Sequence, residues 1–551
     1  MLVCIYNNFP YHYEVFGCFI EYALYNGWNI DVYYKPSDSS DKWIEYYTKV
    51  FSSDTKVFSS DTKSDKLNFI EIDRFVDHHI YDIVFMITYS PIGESMGSKC
   101  ICVIHVDPKD KKLNYLDIPK DTKTTLITLR PMLDGVPWIY GCYNAINYKP
   151  KSSGVAIVGD TTGNDMDMIR EISRQDIHIY YIGRKYAECF EKMGNVIQYN
   201  NVDANVMMDI ISNSDYLLVP KKVDSKYTYK LISGGIPLAI SLLTPIISTR
   251  ELIDACGISD VSVPYKNGMK IRKSEIDMNA ERNKCITYTR NVLNGLTEKY
   301  IPRQVEQPPI NIHFMWLSKD MRRVNVPEKY HMHLRTWKIR NPNANIMIWN
   351  DDSVRNVIKQ HFPKYLTFYD TLEPVICRCD WVRFIIVYLY GGLYADLDFY
   401  CCKAINGLIT SDTLFYREAP EHEKDGLHLY NGFFYSIPKH PMLKGWIDYI
   451  VKNVKSPVDK KDVVRTTGPI GLYNFYRMSG YDIHIGNFCD IMPYTDSGKI
   501  SRQCKTSDFY TYTKWNEGSN WGTKSETRFN PFIIIILVIL LIVVICIHIL
   551  I

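Results

Sequence analysis

The sequence predicts an α/β protein made of three successive α/β blocks followed by an apolar helix. Three observations predict it. Short apolar runs bounded by polar residues or proline alternate with helix-periodic segments in two consecutive series. A proline-containing linker, "YIPRQVEQPP", then opens a stretch of different pattern, where an apolar helix, a glycine pair and a short aromatic strand follow one another. Last, Pro531–Ile551 carries no charge at all. A chain of 551 residues exceeds one core and suits two or three domains.

In chain order, "MLVCIY" reads as a strand and Tyr13 to Tyr25 as a helix. "NIDVYY", "YDIVFMIT", "CICVIHV" and "TTLITL" read as strands of a parallel sheet. Val50 to Lys63 is a tandem repeat of seven residues, polar and placed between elements, and reads as a surface-loop expansion without chemistry of its own. After the linker "NYKPKSSG", the second series runs through "GVAIVGD", a helix from Asp165, "IHIYYIGR", "VMMDIISNSDYLLVP" and "LISGGIPLAISLLTPIIST". Two βα series predict two Rossmann-like halves, over residues 1–148 and 149–300. Residues 301–310 read as a linker, 311–522 as a third domain and 532–551 as a membrane segment.

A net charge of +3 gives no global electrostatic case for nucleic acid as a partner. The 15 cysteines are scattered, show no zinc-type spacing and follow no leader-like N-terminus, so reduced thiols facing the cytosol are expected. Pro531–Ile551 is long enough to cross a hydrocarbon core of ~30 Å at about 1.5 Å per residue. Lys524 and Arg528 flank its near side and suit a cytoplasmic flank. The expectation is a single-pass C-terminal anchor with the bulk of the chain in the cytosol.

The chemistry concentrates in "YLYGGLYADLDFYCCKAI", Tyr388 to Ile405. The preceding "CDWVRFIIVYLYGG" has helical periodicity, which places Asp380 and Arg383 on one face. Gly391 and Gly392 end that helix. "LYADLDF" then reads as a strand whose alternation points Asp396 and Asp398 to one side. Two like charges on one side repel unless a cation lies between them. A divalent ion chelated with a diphosphate meets that need, and hard oxygen ligands suit Mg²⁺ or Mn²⁺.

The order Asp380, Arg383, Gly391-Gly392, Tyr394, Asp396, Asp398 resembles the DXD sugar transferases of glycosyltransferase family 32, which include yeast-type α-mannosyltransferases, and their relatives, the clostridial glucosylating toxins. Further landmarks fall in the same order: "PPINIHFMWLSKD" with His313 and Trp316, "WKIRNPNANIMIWNDD", "LYNGFFYSIPKHP", Thr467 to Pro469, and "YTKWNEGSNWG". They run from Pro308 to Trp521. One departure stands in the last segment, where many family members carry a histidine and this chain has Thr513. The first half resembles the two-domain GT-B architecture, whose nucleotide-binding half the "SGGIPLAISLLTPIIST" run is similar to. The approach to that run is basic where the architecture often carries an acid. Lys222, Lys226 and Lys230 are either phosphate contacts or a solvated face.

The resemblance implies a GT-A-like third domain. It implies transfer of a hexose from a nucleotide-diphosphate sugar to a glycan, lipid or protein acceptor, with Mn²⁺ or Mg²⁺ required and anomeric configuration retained. Asp398 would bind the metal directly, and Asp396 would bridge metal and donor. Asp380 and Arg383 would hold sugar hydroxyls. Trp316 would stack on the base, and Tyr394 would belong to the donor site. Glu517, Ser519 and Trp521 would sit in a loop closing over the donor, with Ser519 completing the metal shell. Plain structural roles stay open for Trp316 as a core aromatic, Tyr394 as strand packing and Arg383 as an ion-pair partner. The first half would be a second transferase or a decayed one used for binding. A membrane-tethered sugar- or nucleotide-binding scaffold without turnover is the alternative from another class, and a glucosylator of host proteins is the enzymatic one. A cytosol-facing tandem transferase would suit a pathogen or a large virus that glycosylates its own products.

Overall fold

The computed structural model describes residues 1–51, 66–75, 78–88, 100–104, 124–131, 135–145, 154–159, 161, 163–222, 235–301, 309–318, 325–418, 420, 427–494, 500–501, 503–504 and 509–513. The chain divides into two compact units, Met1–Gln304 and Val305–Ile551.

The first unit holds two all-parallel sheets. β1 (Leu2–Asn7), β2 (Asn29–Tyr34), β3 (Leu67–Glu71), β4 (Ile83–Met86), β5 (Cys100–Ile104) and β6 (Thr125–Thr128) form one, in the order β3-β2-β1-β4-β5-β6. β7 (Gly154–Val158), β8 (His178–Gly183), β9 (Val196–Asn200), β10 (Tyr216–Val219), β11 (Ile246–Ser248) and β12 (Ser262–Pro264) form the other, in the order β12-β11-β10-β7-β8-β9. Helices cover both faces of a parallel sheet, so its strands are apolar throughout, as the fully buried β1 shows. Both sheets have the Rossmann-like reversal of strand order, at β1/β4 and at β7/β10.

The two halves share one unit because the helix Met278–Thr297, at the end of the second, reaches back to the first. The Tyr22 hydroxyl donates to Asn294 Oδ1 at 2.9 Å, and Arg290 Nη2 pairs with Glu21 Oε1 at 2.8 Å. The repeat expected to be all loop begins inside a helix: Val50 and Phe51 end Asp38–Phe51 with both side chains buried. The rest of the repeat lies outside the described residues.

The second unit has a mixed sheet. β13 (Asn311–Met315), β14 (Asn345–Trp349) and β15 (Gly392–Ala395) are parallel neighbours. Beyond β16 (Phe399–Cys401) come β17 (Thr413–Arg417), β18 (Leu429–Ser436) and β19 (His484–Gly486), giving the order β14-β13-β15-β18-β17-β19. β18 is antiparallel to β15 and β17. β16 pairs with β20 (Thr511–Thr513) in a separate two-stranded sheet. Apolar clusters cover the sheet, one led by the helices Val375–Tyr390 and Pro441–Asn453, the other by Trp337 and Phe399.

Two expectations need comment. Among the described residues no helix is long and apolar enough to cross a membrane, and Pro531–Ile551 lies outside them. The cysteines were expected to be reduced, yet Cys489 and Cys504 form a disulfide while the other twelve described cysteines are free. Spacing alone does not reveal this pair; an antiparallel bridge between Tyr494 and Ile500 brings the two stretches together.

Candidate active site

The helix Val375–Tyr390 delivers the first two site residues. One turn separates Asp380 from Arg383, and Arg383 Nη2 lies 3.2 Å from Asp380 Oδ1. The helix stops at Gly391 (φ 63) and Gly392 (φ 104), conformations that disfavour side chains. A Cβ on Gly392 would strike the Asn311 carbonyl of β13, so the glycine allows β15 to start directly against its neighbour. His313, buried in β13, holds this turn. Its Nε2 donates to the Gly391 carbonyl at 2.8 Å, and its Nδ1 accepts from Trp349 Nε1 at 3.2 Å. One neutral tautomer satisfies both bonds. Burial pushes His313 down to about 4, against the Gly391 carbonyl, which favours the proton.

The D-x-D segment departs from the expected strand. β15 ends at Ala395, and Asp396 to Asp398 form a turn closed by Phe399 N to Asp396 O at 3.2 Å. The two carboxylates therefore owe their placement to a turn at the carboxyl end of β15. Asp396 is anchored by its backbone N–H to the Gly432 carbonyl at 2.8 Å. Its Oδ1 accepts from the Tyr394 hydroxyl at 2.9 Å and lies 3.3 Å from Arg383 Nη1.

Arg383 is thus the hub. Its side chain is 4% exposed. It faces Asp380 and Asp396, donates to the backbone carbonyls of Asn431 (2.9 Å) and Cys379 (3.1 Å), and stands 4.9 Å over the Tyr394 ring. Asp380 has both oxygens engaged: Asn431 Nδ2 donates to Oδ1 and Thr467 Oγ1 to Oδ2, each at 2.9 Å. Burial still pushes Asp380 up to about 6, against Arg383 and Thr467. Asp398 is held less closely, with only its own backbone N–H, Thr513 and Lys329 favouring the charged form. Its Oδ1 is buried without a hydrogen-bond partner among the described residues. Burial, then the Asp396 charge, pushes Asp398 up to about 7.

An unsatisfied buried carboxylate oxygen beside a second carboxylate fits a hard divalent cation. Among the described residues no group of three or more His, Cys, Asp or Glu could hold an ion. Asp396 and Asp398 supply two oxygen ligands, and Mg²⁺ or Mn²⁺ characteristically fills the rest of its shell with water and substrate phosphate. The residues present fit such an ion.

Trp316 follows β13 at the same sheet end as the D-x-D turn, since β13 and β15 are parallel with His313 opposite Tyr394. Its ring is half-buried, 5.5 Å from Tyr330, and its backbone N–H donates to the Trp349 carbonyl. Glu517, Ser519 and Trp521 lie outside the described residues, as do Lys226 and Lys230. Lys222 is described, exposed in the first unit, with its backbone N–H bonded to the Gly163 carbonyl.

Two supporting residues, Asn431 and Thr467, lie outside the set the sequence pattern assigns to the site. They come from 51 and 87 residues away from Asp380. The β17/β18 register shifts between Leu414 and Tyr416, a bulge that re-aims Asn431. Their signal was the polar residue type in an otherwise apolar or glycine-rich run.

Residues 327–415 match the family described as the glycosyltransferase sugar-binding region containing the DXD motif. The C-terminal half carries a DXD glycosyltransferase region. Inositol phosphoceramide mannosyltransferase 2 of Schizosaccharomyces pombe is 27% identical over 165 residues, 30% of this chain and 45% of that protein. An uncharacterized glycosyltransferase of Acanthamoeba polyphaga mimivirus is 31% identical over 122 residues, 22% of this chain and 46% of that one. The chain thus spans under half the length of these curated relatives. Among solved structures, a glycosyltransferase of avilamycin A biosynthesis covers 54% of this chain and 97% of its own at 12% identity and a TM-score of 0.35. The PaToxG glycosyltransferase covers 31% of this chain and 70% of its own at 17% identity and a TM-score of 0.24.

Proposed function

We propose that the second unit is a metal-dependent, retaining hexosyltransferase that moves a sugar, mannose by analogy with its relatives, from a nucleotide-diphosphate donor to a glycan, lipid or protein acceptor. The observation that carries this reading is the orphaned Asp398 Oδ1 beside Asp396, in a site where Asp396 Oδ1 is held by Arg383 and Tyr394 and both oxygens of Asp380 by Asn431 and Thr467. A bound Mg²⁺ or Mn²⁺ would offset negative charge growing on the departing diphosphate. Asp396 and Asp398 would hold it. Arg383 fixes Asp396 from 3.3 Å away, while Asp380, oriented by Asn431 and Thr467, would present an acceptor for sugar hydroxyls. Trp316, at the same sheet end, is placed to stack on the base. Glu517, Ser519 and Trp521 belong to this reading as a closing loop, on the strength of sequence alone.

The test uses the full chain in detergent with Mn²⁺ and a panel of GDP- and UDP-sugars. Metal-dependent release of nucleotide diphosphate, lost in Asp396→Asn/Asp398→Asn, is the expected result. Absence of turnover with donor binding intact would favour a sugar-binding scaffold instead.

A second module in the first unit has one observation in its favour: two parallel sheets, each with a strand-order reversal, in one compact unit. Release that survives the double substitution would place activity there. Anchoring by Pro531–Ile551 rests on that segment's uncharged, apolar sequence. Recovery in the membrane fraction of the full chain, but not of a chain ending at Asn530, is the expected outcome.

A further inference from the structure

We infer that the buried Glu418–His428 pair, together with Tyr430, forms the acceptor-side wall of the DXD site and positions a hydroxyl of a polyhydroxylated acceptor, a sugar or an inositol headgroup. The inference rests on the transferase reading above and adds to it which end of the site receives the acceptor.

The argument begins with strand direction. β13 and β15 run in parallel toward one sheet end, where Trp316 and the two aspartates stand. β18 is antiparallel to β15 and so starts at that end, while β17 is antiparallel to β18 and so finishes there. Arg417 pairs with Leu429, which makes Glu418 and His428 the next cross-strand residues. Along this end the order is therefore Trp316, Asp396 and Asp398, then His428 and Tyr430, then Glu418. Strands are spaced about 4.8 Å apart, so sideways the pair lies one to two strand widths beyond the aspartates, on the side away from Trp316, and along the strand His428 lies four residues, about 13 Å, past Gly432, which faces Asp396. A donor with its base at Trp316 and its diphosphate at the aspartates carries its sugar toward that side.

Three further observations tie the pair to the site. His428 Nδ1 and Glu418 Oε2 are 2.8 Å apart, and each side chain is only 8% exposed. A buried ionisable pair is weak support for stability, so its presence at this end asks for another role. Glycine at 432 lets two side chains close over its backbone: a Cβ there would strike Asp396 Oδ2 and, at 2.6 Å, the Tyr430 hydroxyl. Tyr430 therefore lies beside the Asp396 carboxylate. Its phenol hydroxyl is a group that can donate to an acceptor oxygen.

The step balances without a further reactant. The acceptor hydroxyl oxygen bonds to the anomeric carbon, the bond from that carbon to the diphosphate oxygen breaks, and the hydroxyl proton leaves with the diphosphate. Glu418 and His428 act as positioning residues, since orienting the hydroxyl matters for transfer and is dispensable when water is the acceptor.

The experiment compares wild type, His428→Gln and Glu418→Gln in the full chain with Mn²⁺ and each GDP- or UDP-sugar of the panel. Donor hydrolysis without acceptor is measured beside transfer to mannose, glucose and myo-inositol. The expected result is hydrolysis within about 2-fold of wild type, with acceptor KM raised at least 10-fold in both variants and donor KM unchanged. Loss of hydrolysis and transfer together, with an unchanged melting transition, would overturn the acceptor assignment and put the pair in the donor site. Unchanged transfer in both variants would overturn it as well. Wild-type hydrolysis without transfer to any of the three would exclude the acceptor class. Absence of wild-type hydrolysis would count against the transferase reading itself, a failure distinguishable from these.

Discussion

Two buried charge clusters in this chain differ in one respect. In the first unit, Glu21 is met by Arg290 Nη2 (2.8 Å), Asn144 Nδ2 (2.9 Å) and the Asn144 backbone N–H (2.5 Å), so both its oxygens are engaged. In the second unit, Asp380 is equally well served, but Asp398 Oδ1 is left without a partner among the described residues. In the first cluster the carboxylate is fully paired and joins two halves of a unit. In the second a carboxylate oxygen is left over, and that gap points to something the chain does not supply. A self-contained buried network explains cohesion, whereas an open one explains binding.

The largest effect expected to sharpen this contrast is on turnover. Asp396→Asn/Asp398→Asn should lower donor turnover by at least ~10³-fold, as expected when an electrostatic stabiliser is lost. Its melting temperature should move little, because relief of two like charges is offset by loss of the Asp396 charge facing Arg383. A matching fall in melting temperature would make the carboxylates structural. Next in size is Arg383→Met. It strands Asp380 and Asp396 without their cation, which costs about 3–5 kcal/mol when one partner of a buried pair is removed. Denaturant unfolding of the second unit's transition should report that loss. Glu21→Gln should cost less, ~1–3 kcal/mol, and leave Asp398-dependent turnover unchanged.

Acidity separates the two kinds of buried group further. Asp398, raised to about 7, binds its proton in the folded state before the unfolded chain does. Its contribution therefore destabilises the metal-free fold as pH rises from the ordinary carboxylate range through about 7. Mn²⁺ competes with that proton, so its stabilising shift in melting temperature should be larger at pH 8 than at pH 5.5, and Asp398→Asn should abolish the difference. His313 works in the other direction. Its folded value of about 4 lies below the usual 6.5, so it contributes stability above 6.5 that is lost as pH falls toward 4, up to ~3 kcal/mol. Histidine-to-glutamine substitution at 313 should flatten the acid limb of the stability curve. The smallest effect is expected of Thr467→Val, which deletes one hydrogen bond to Asp380, ~1 kcal/mol, with turnover reduced several-fold.

The sequence alone determined whatever depends on near neighbours. One helical turn joins Asp380 to Arg383, a glycine pair turns the chain, and Tyr394 stands two positions before Asp396. Fixed backbone geometry makes such spacings readable, and the parallel sheets of the first unit were readable for the same reason, through their apolar runs. Tertiary structure alone decided which distant residues complete the site. Asn431 reaches Asp380 through a bulge in β18, Thr467 from the segment before a helix, and His313 clamps the glycine turn from a neighbouring strand. It also made a turn of the D-x-D segment where alternation suggested a strand, and left Asp398 Oδ1 without a partner. Hydrogen bonds between residues tens of positions apart depend on how sheets and helices pack, and no local period records that.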